Sequence, residues 1–383
     1  MSRHGRPKAN VKLGGQIHEA AIGSIYFATI KNSSEAVIVK TIDLTKQNIW
    51  AVTKNNKRTT IRGLDDSNVV FLCQYKEEAN EWASIWCDGP QFADRHDVTV
   101  GKVAYLLSSL KTPRDGAKHL IRLNEYLSEA VVGLIVSKTT ALKIPNIIKT
   151  KEAWIENADG HILQDYGGIS LMKNMSNLNL EEFKSILVQI LCTLAVAQET
   201  CQLKHHDVHL DNVFLHHLKD SDTFNDVCLK SKNYWTYSVK TSQGPKLITV
   251  KHCGILAKLG DFGLASASYQ GTRYERVDYG LLDATESEWG QWSGQLESQQ
   301  SYDAVVFLSK FFLDEERSKC PVALSHYARA AYGALRTAMP HIECSNIGRP
   351  LRGLEGNMSC ADILALPFFE EFHVSSDDFI SFK

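Results

Sequence analysis

The segment SILVQILCTLAVA, residues 185–197, limits the fold more than any other stretch: it is apolar along nearly its whole length and followed by polar residues. It is too short to cross a bilayer, which takes about 20 apolar residues, and so it reads as a buried helix. Asn179 precedes it as an N-cap, with Glu182 three residues on and Glu181 in the first turn, where acids suit the helix dipole. Burying such a helix takes a sizeable core. The 383 residues, 44% hydrophobic and 22% charged, are enough for two domains or one large two-lobed one.

A net charge of −2 provides no global field for nucleic acid or membrane binding, so neither partner is expected. The start, MSRHGRPKANVK, is basic through Arg3, Arg6, Lys8 and Lys12, and residues 1–12 read as a flexible arm. Nine cysteines without a CxxC pair, and no apolar N-terminal signal, point to free thiols in a reducing, intracellular compartment. Histidine pairs at 205–206 and 216–217 lack the i, i+4 spacing of a zinc helix, which sets a histidine metal site aside.

Two runs, IGSIYFATI (22–30) and EAVIVKTI (35–42), alternate apolar and polar residues around the turn-like KNSS and predict a hairpin. Residues 45–118, with Trp50, Trp82 and Trp86, are too aromatic for disorder and read as an ordered insertion. Leu120, Leu123, Leu127, Val131 and Leu134 give residues 119–138 helical spacing. IPNIIKTKEAWI and GHILQDY look like two more strands, the second ending at Gly167-Gly168. Beyond that the pattern is mostly helical, with short strands around 213–215, 237–239 and 255–260. The order implies an α+β protein of two lobes joined near residues 165–168.

HHDVHLDNVF (205–214) concentrates the chemistry. A carboxylate at Asp207 can orient a hydroxyl nucleophile, while a carboxamide five residues on, at Asn212, can ligate a divalent ion. Phosphoryl transfer needs both, together with a second acid to hold the metal and a cation to grip phosphates. KLGDFGLAS supplies Asp261 at the end of an apolar strand, and AVIVK supplies Lys40. A lysine on a buried strand needs a carboxylate partner, which Glu129 or Glu125 of the 119–138 segment can provide.

These residues resemble the eukaryotic-type protein kinases. HHDVHLDN looks like the catalytic loop H-R-D-L-x-x-x-N, DFG is the metal motif of that family, and VIVK is similar to its strand-three V-A-I-K. IHEAAIGSIYFA resembles the glycine-rich loop, with Gly23 as its third glycine and Ile25 as its valine, fifteen residues before Lys40. GRP (348–350) and ADILALPFFEEF resemble the closing part of the kinase domain. The likeness spans residues 13–372 in the family's order.

The resemblance implies a bilobal kinase fold: a small antiparallel-sheet lobe with one main helix over 13–165, carrying the insertion 45–118, and a larger helical lobe over 166–383. It implies an ATP- and Mg2+-dependent kinase, with Mn2+ as a substitute, acting on Ser/Thr hydroxyls of a protein substrate as a monomer. Asp207 would be the base, Asn212 and Asp261 the metal ligands, and Lys40 the α/β-phosphate ligand paired with Glu129, with Glu125 open as the alternative. Ile17, Gly23, Ile25, Ile38 and Phe214 would surround the nucleotide, with the adenine edge on the backbone of Asp165 and Gly167. His209 stands where such kinases carry lysine and would contact the γ-phosphate.

The departures also matter. His18 and Ala20 replace the first two loop glycines, His206 replaces the arginine that reads a phosphorylated activation loop, and no A-P-E follows the DFG. This implies activity independent of activation-loop phosphorylation and leaves the partner of Arg349 unassigned. Asn212 and Asp261 lie forty-nine residues apart, with an aromatic strand and a Gly-Pro turn between them. In this the chain is similar to haspin-like kinases and the kinases of large DNA viruses, which would place it in cytoplasm or nucleus, or in a virion or host cell. A pseudokinase and an aminoglycoside- or choline-type kinase are the alternatives.

Overall fold

In the computed structural model the described residues are 11–20, 23–44, 49–53, 58–60, 69–76, 81–84, 119–123, 125–156, 159–218, 234–251, 253–276, 300–313, 319–340, 343–344, 350–352 and 358–373. Residues 1–10 of the basic start and Arg349 therefore lie outside the described residues, whereas Val11 and Lys12, expected in the flexible start, are paired with Ile30 and Thr29 in a strand. The chain divides into two compact units. One comprises Met1–Ser137, Ile148–Tyr166 and Phe262–Asp278; the other comprises Lys138–Ile147, Gly167–Asp261 and Tyr279–Lys383.

The first unit is built on strands β1 (Val11–Ala20), β2 (Gly23–Ile30) and β3 (Val37–Asp43). The expected hairpin is β2–β3, which pair antiparallel from Gly23↔Ile42 to Ala28↔Val37. Within the insertion, β4 (Ile49–Thr53), β5 (Arg58–Thr60), β6 (Val69–Lys76) and β7 (Glu81–Ser84) form a separate sheet in the order β5-β4-β6-β7. Next come β8 (His119–Leu123), helix α1 (Glu125–Thr139), β9 (Thr150–Glu156) and β10 (Asp159–Asp165). The main sheet is five-stranded and antiparallel, ordered β1-β2-β3-β10-β9.

Strand periodicity sorts its faces. Ala28, Val37, Val39, Trp154 and Leu163 form one buried cluster. Register places Ile25, Ile38, Lys40, Ile162 and Gln164 on the opposite face. The Tyr126 ring of α1 lies across Gly160, and its hydroxyl donates to the Trp154 carbonyl at 2.9 Å.

The helical reading of 119–138 holds only from residue 125. Residues 119–123 are a strand, because main-chain pairing to a distant segment, described below, outweighs the local spacing of Leu120 and Leu123.

The second unit begins with β11 (Ile169–Ser170), the short helix α2 (Leu171–Asn174) and helix α3 (Leu180–Cys201). The apolar run lies inside α3, whose expected cap is present. Asn179 accepts from the Glu182 amide at 3.0 Å, and Glu182 accepts from the Asn179 amide at 2.9 Å. Every residue from 185 to 197 is buried. Strands β12 (Val213–His217), β13 (Tyr234–Thr241), β14 (Gly244–Lys251) and β15 (Ile255–Leu259) follow. β13 and β14 form a hairpin that reverses at Ser242-Gln243, so Pro245 stands inside β14 opposite Lys240 and is not the turn expected from Gly-Pro. Gly244, at φ 115°, adopts a backbone that other residues rarely reach.

The chain returns to the first unit with β16 (Ala267–Tyr269) and β17 (Thr272–Arg276). β17 pairs in parallel with β8, from Thr272↔His119 to Arg276↔Leu123. Back in the second unit come α4 (Tyr302–Leu313), α5 (Val322–Ala338) and α6 (Cys360–Leu364), then a 3-10 turn over Pro367–Phe372. Cys192, Cys201, Cys253, Cys320 and Cys360 are free thiols. Among the described residues no helix is long and apolar enough to cross a membrane.

Candidate functional site

In the first unit the chemistry centres on Lys40. β3 runs between β2 and β10, so Lys40 faces Ile25 on one side and Ile162 on the other. Only 8% of it is exposed. Its Nζ meets Glu129 Oε2 of α1 at 2.5 Å, and Glu129 is 1% exposed. Removing one partner of such a pair strands a charge, at a cost of about 3–5 kcal/mol. The side chain of Glu125, the other expected partner, lies outside the described residues.

Ile25 and Ile38 are half-buried on the Lys40 face, while Ile17 is 42% exposed on β1. Gly23 opens β2 opposite Ile42, and a Cβ there would collide with the Thr41 carbonyl oxygen. Asp165 ends β10. Its carboxylate takes Lys151 at 2.9 Å and its amide donates to the Lys149 carbonyl at 3.0 Å, while the neighbouring Tyr166 amide donates to the Ala36 carbonyl at 3.0 Å. Gln164, absent from the expected site, is 5% exposed on the Lys40 face and donates to Thr150 Oγ1 at 3.3 Å.

In the second unit, the loop between α3 and β12 holds Asp207, His209 and Asn212. β12 pairs antiparallel with β15, Val213 opposite Leu259, which brings the residues just before β12 and just after β15 to one end of the sheet. The Gly260 amide donates to the Asn212 carbonyl at 3.0 Å, closing a separation of forty-nine residues between Asn212 and Asp261. Asn212 Nδ2 donates to the Asp207 carbonyl at 3.0 Å and lies 3.4 Å from Asp207 Oδ2, which turns the amide oxygen away from that carboxylate. Asp261 has φ 60°, a left-handed backbone uncommon for any residue but glycine. Phe214, half-buried, is the second residue of β12, and Gly167 is buried at the start of this unit.

His209 has both ring nitrogens engaged. Nδ1 accepts from the Asp211 amide at 3.2 Å, and Nε2 lies 3.4 Å from Asp207 Oδ2. Burial pushes its pKa down, but the hydrogen bond to Asp207 and the charges of Asp207, Asp211 and Asp261 outweigh that and raise it. The ring is thus directed at the carboxylate expected to be the base.

The loop is fixed from beneath by a residue that sequence reasoning missed. Asp303, in the first turn of α4 and 3% exposed, accepts the backbone amides of His205 and His206 at 2.8 Å each. Burial raises its pKa, opposed by the charge of His205 and by these two amides. His206 has φ 63°, and His205 Nε2 donates to the Gly260 carbonyl at 2.9 Å. A lone acid in the apolar run YDAVVFLSKFFL was the available signal. Such an acid in a buried helix needs backbone donors from elsewhere.

Asn212 and Asp261 present oxygen donors at one strand end, beside the negative Asp207 and Asp211. This suits a hard divalent cation that retains several waters. Among the described residues, no group of three or more His, Cys, Asp or Glu could hold a metal ion. The oxygen donors that this strand end offers are the Asp261 carboxylate and the Asn212 amide oxygen. No protein-family model matches the chain, and no curated protein matches it.

Proposed function

We propose that the chain is an ATP- and Mg2+-dependent protein kinase, with a bilobal kinase fold, that moves the γ-phosphoryl group of ATP to a Ser or Thr hydroxyl of a protein. The observation that carries this reading is the convergence of Asp207, Asn212 and Asp261 at one end of the β12–β15 pair. The buried Lys40–Glu129 pair supports it independently.

In this reading the substrate oxygen bonds to the γ-phosphorus, the bond from that phosphorus to the β,γ-bridging oxygen breaks, and ADP leaves. Asp207 accepts the hydroxyl proton, and His209 and Asn212 hold its carboxylate in one orientation. Lys40, kept charged and aimed by Glu129, holds the α- and β-phosphates. Asn212 and Asp261 would hold Mg2+, or Mn2+ in its place, which would supply charge to the phosphate oxygens. By family likeness, Ile25 and Ile38 on the Lys40 face, with Ile17, Gly23 and Phe214, would be the residues to surround the nucleotide, and the backbone of Asp165 and Gly167 would take the adenine edge.

One observation favours a second reading, a nucleotide-binding module without transfer. β1 and β2 pair up to Ala20↔Gly23, and His18 and Ala20 occupy positions where glycine would let the backbone approach phosphates. Labelled ATP, Mg2+ and a basic protein, followed by phosphoamino-acid analysis, test the two. Phosphoserine or phosphothreonine that disappears with Asp207→Asn and Lys40→Met supports the kinase. An ATP-dependent rise in melting temperature without transfer supports the module.

A further inference from the structure

Glu129 reaches Lys40 only where α1 puts it, and α1 is fastened to the stretch that follows Asp261. β8 ends at Leu123, two residues before α1 begins, and its five residues pair in parallel with β17. Ser128, next to Glu129 and fully buried, donates its hydroxyl to the Ala265 carbonyl at 3.1 Å. One turn further, the Phe262 ring lies within ordinary van der Waals reach of the Gly133 position, 3.7 Å from where a Cβ would stand, while the side chain that such a Cβ would collide with is Thr150 of β9. The stretch is itself braced. β16 and β17 pair through Tyr269↔Thr272 around Gln270-Gly271, and Arg273 donates to Ser266 Oγ at 2.9 Å. Thr272 and Tyr274 are each 2% exposed.

We propose that Ser128 is a positioning residue which, with the β8–β17 ladder, holds α1 so that Glu129 meets Lys40 in the unmodified chain. Its significance for catalysis rests on the kinase reading. Each tie is a main-chain, hydroxyl or apolar contact of the chain as synthesised, so no added phosphate is required to order the stretch 262–276. The ion pair is set by the fold, and the lever that would unset it is separation of β17 from β8.

The test uses the full chain, made in bacteria and treated with phosphatase. Ser128→Ala is compared with wild type, alone and combined with Arg122→Cys and Glu275→Cys, which are register partners in the β8–β17 ladder. Ser128→Ala should raise amide exchange in α1 about tenfold, the effect of about 1.4 kcal/mol for one buried hydrogen bond. It should lower kcat by about the same factor and leave KM for the protein substrate unchanged. Oxidising the cysteine pair should return exchange and kcat to within about twofold of wild type, and reductant should reverse that.

Unchanged exchange in Ser128→Ala overturns the proposal. So does loss of transfer when the cysteine pair is oxidised in an otherwise wild-type chain, or a requirement for phosphate on residues 262–276. Should the wild-type chain transfer no phosphate at all, the kinase reading fails, and the exchange data still decide whether Ser128 and β17 hold α1.

Discussion

Two buried polar clusters, one in each unit, differ in kind. In the first unit Lys40 and Glu129 are opposite charges on a strand and a helix. In the second, Asn146, Gln189 and Tyr237 form a neutral network. Asn146 Nδ2 donates to Gln189 Oε1 at 3.0 Å and to the Ala257 carbonyl at 2.8 Å, and the Tyr237 hydroxyl donates to Asn146 Oδ1 at 3.0 Å. Gln189 also accepts the Ala257 amide at 2.9 Å and donates to the Ile255 carbonyl at 3.1 Å. The neutral network satisfies backbone groups of β15 that would otherwise be orphaned, so its role is stability. The charged pair costs desolvation on both partners and is best explained by the charge it presents.

Replacing both partners separates the two cases most sharply. Lys40→Met with Glu129→Leu should leave stability unchanged or raise it by about 1–4 kcal/mol, because apolar groups of similar volume avoid the desolvation cost. Phosphoryl transfer should fall by about a thousandfold or more. Denaturant unfolding and a transfer assay on one preparation measure both. A large loss of stability would mean that the pair is structural and would erase the contrast. Gln189→Leu should instead cost about 3 kcal/mol or more, since it takes the Gln189 partner from the Ala257 amide and the Ile255 carbonyl and leaves Asn146 Nδ2 with the Ala257 carbonyl alone. Equal stability of that variant would show that the network contributes nothing.

The same contrast governs what could be read from the sequence. The β2–β3 hairpin and the capped α3 were legible because each is specified within a few residues: alternation around KNSS, and Asn179 with Glu182. Lys40 with Glu129 or Glu125, and Asp207, Asn212 and Asp261, could be nominated from residue type and order, and of these the structure joins Lys40 to Glu129 and Asn212 to Asp207. Asp303, Gln164 and the Asn146 network were not legible, because their partners are backbone or side-chain groups 14 to 111 residues away. β8 misled for the same reason. Its leucines repeat at helical spacing, and the ladder that makes it a strand is contributed by residues 272–276. Pro245 misled in a different way, since the reversal fell on Ser242-Gln243 and left the proline paired within β14.

His209 lies between the two kinds of cluster, a half-buried ring held by an amide on one nitrogen and facing a carboxylate with the other. If its task is to hold Asp207, His209→Gln should keep more activity than His209→Lys, since the glutamine amide nitrogen can occupy the place of Nε2. The expected gap is about tenfold in kcat with little change in KM for ATP. A lysine variant as active as wild type, with a lower KM for ATP, would instead assign position 209 to the γ-phosphate.

The smallest effect concerns a charge near the surface. Asp362 closes a capping box on α6 with Ser359 and accepts the Ser242 amide of the β13–β14 turn at 2.7 Å. Burial pushes its pKa up, but the Ser242 and Ser359 hydrogen bonds outweigh that and hold it below the ordinary 3.8. A carboxyl with a depressed folded pKa stabilises the fold above its unfolded value and loses that contribution as pH falls through the folded one. The window is therefore below about pH 3.8. Asp362→Asn should flatten the acid limb of the stability curve there, and it should lower neutral-pH stability by about 1 kcal/mol or less. If the limb is as steep in the variant as in wild type, the carboxylates responsible lie elsewhere, and this clamp behaves like the neutral network rather than like the charged pair.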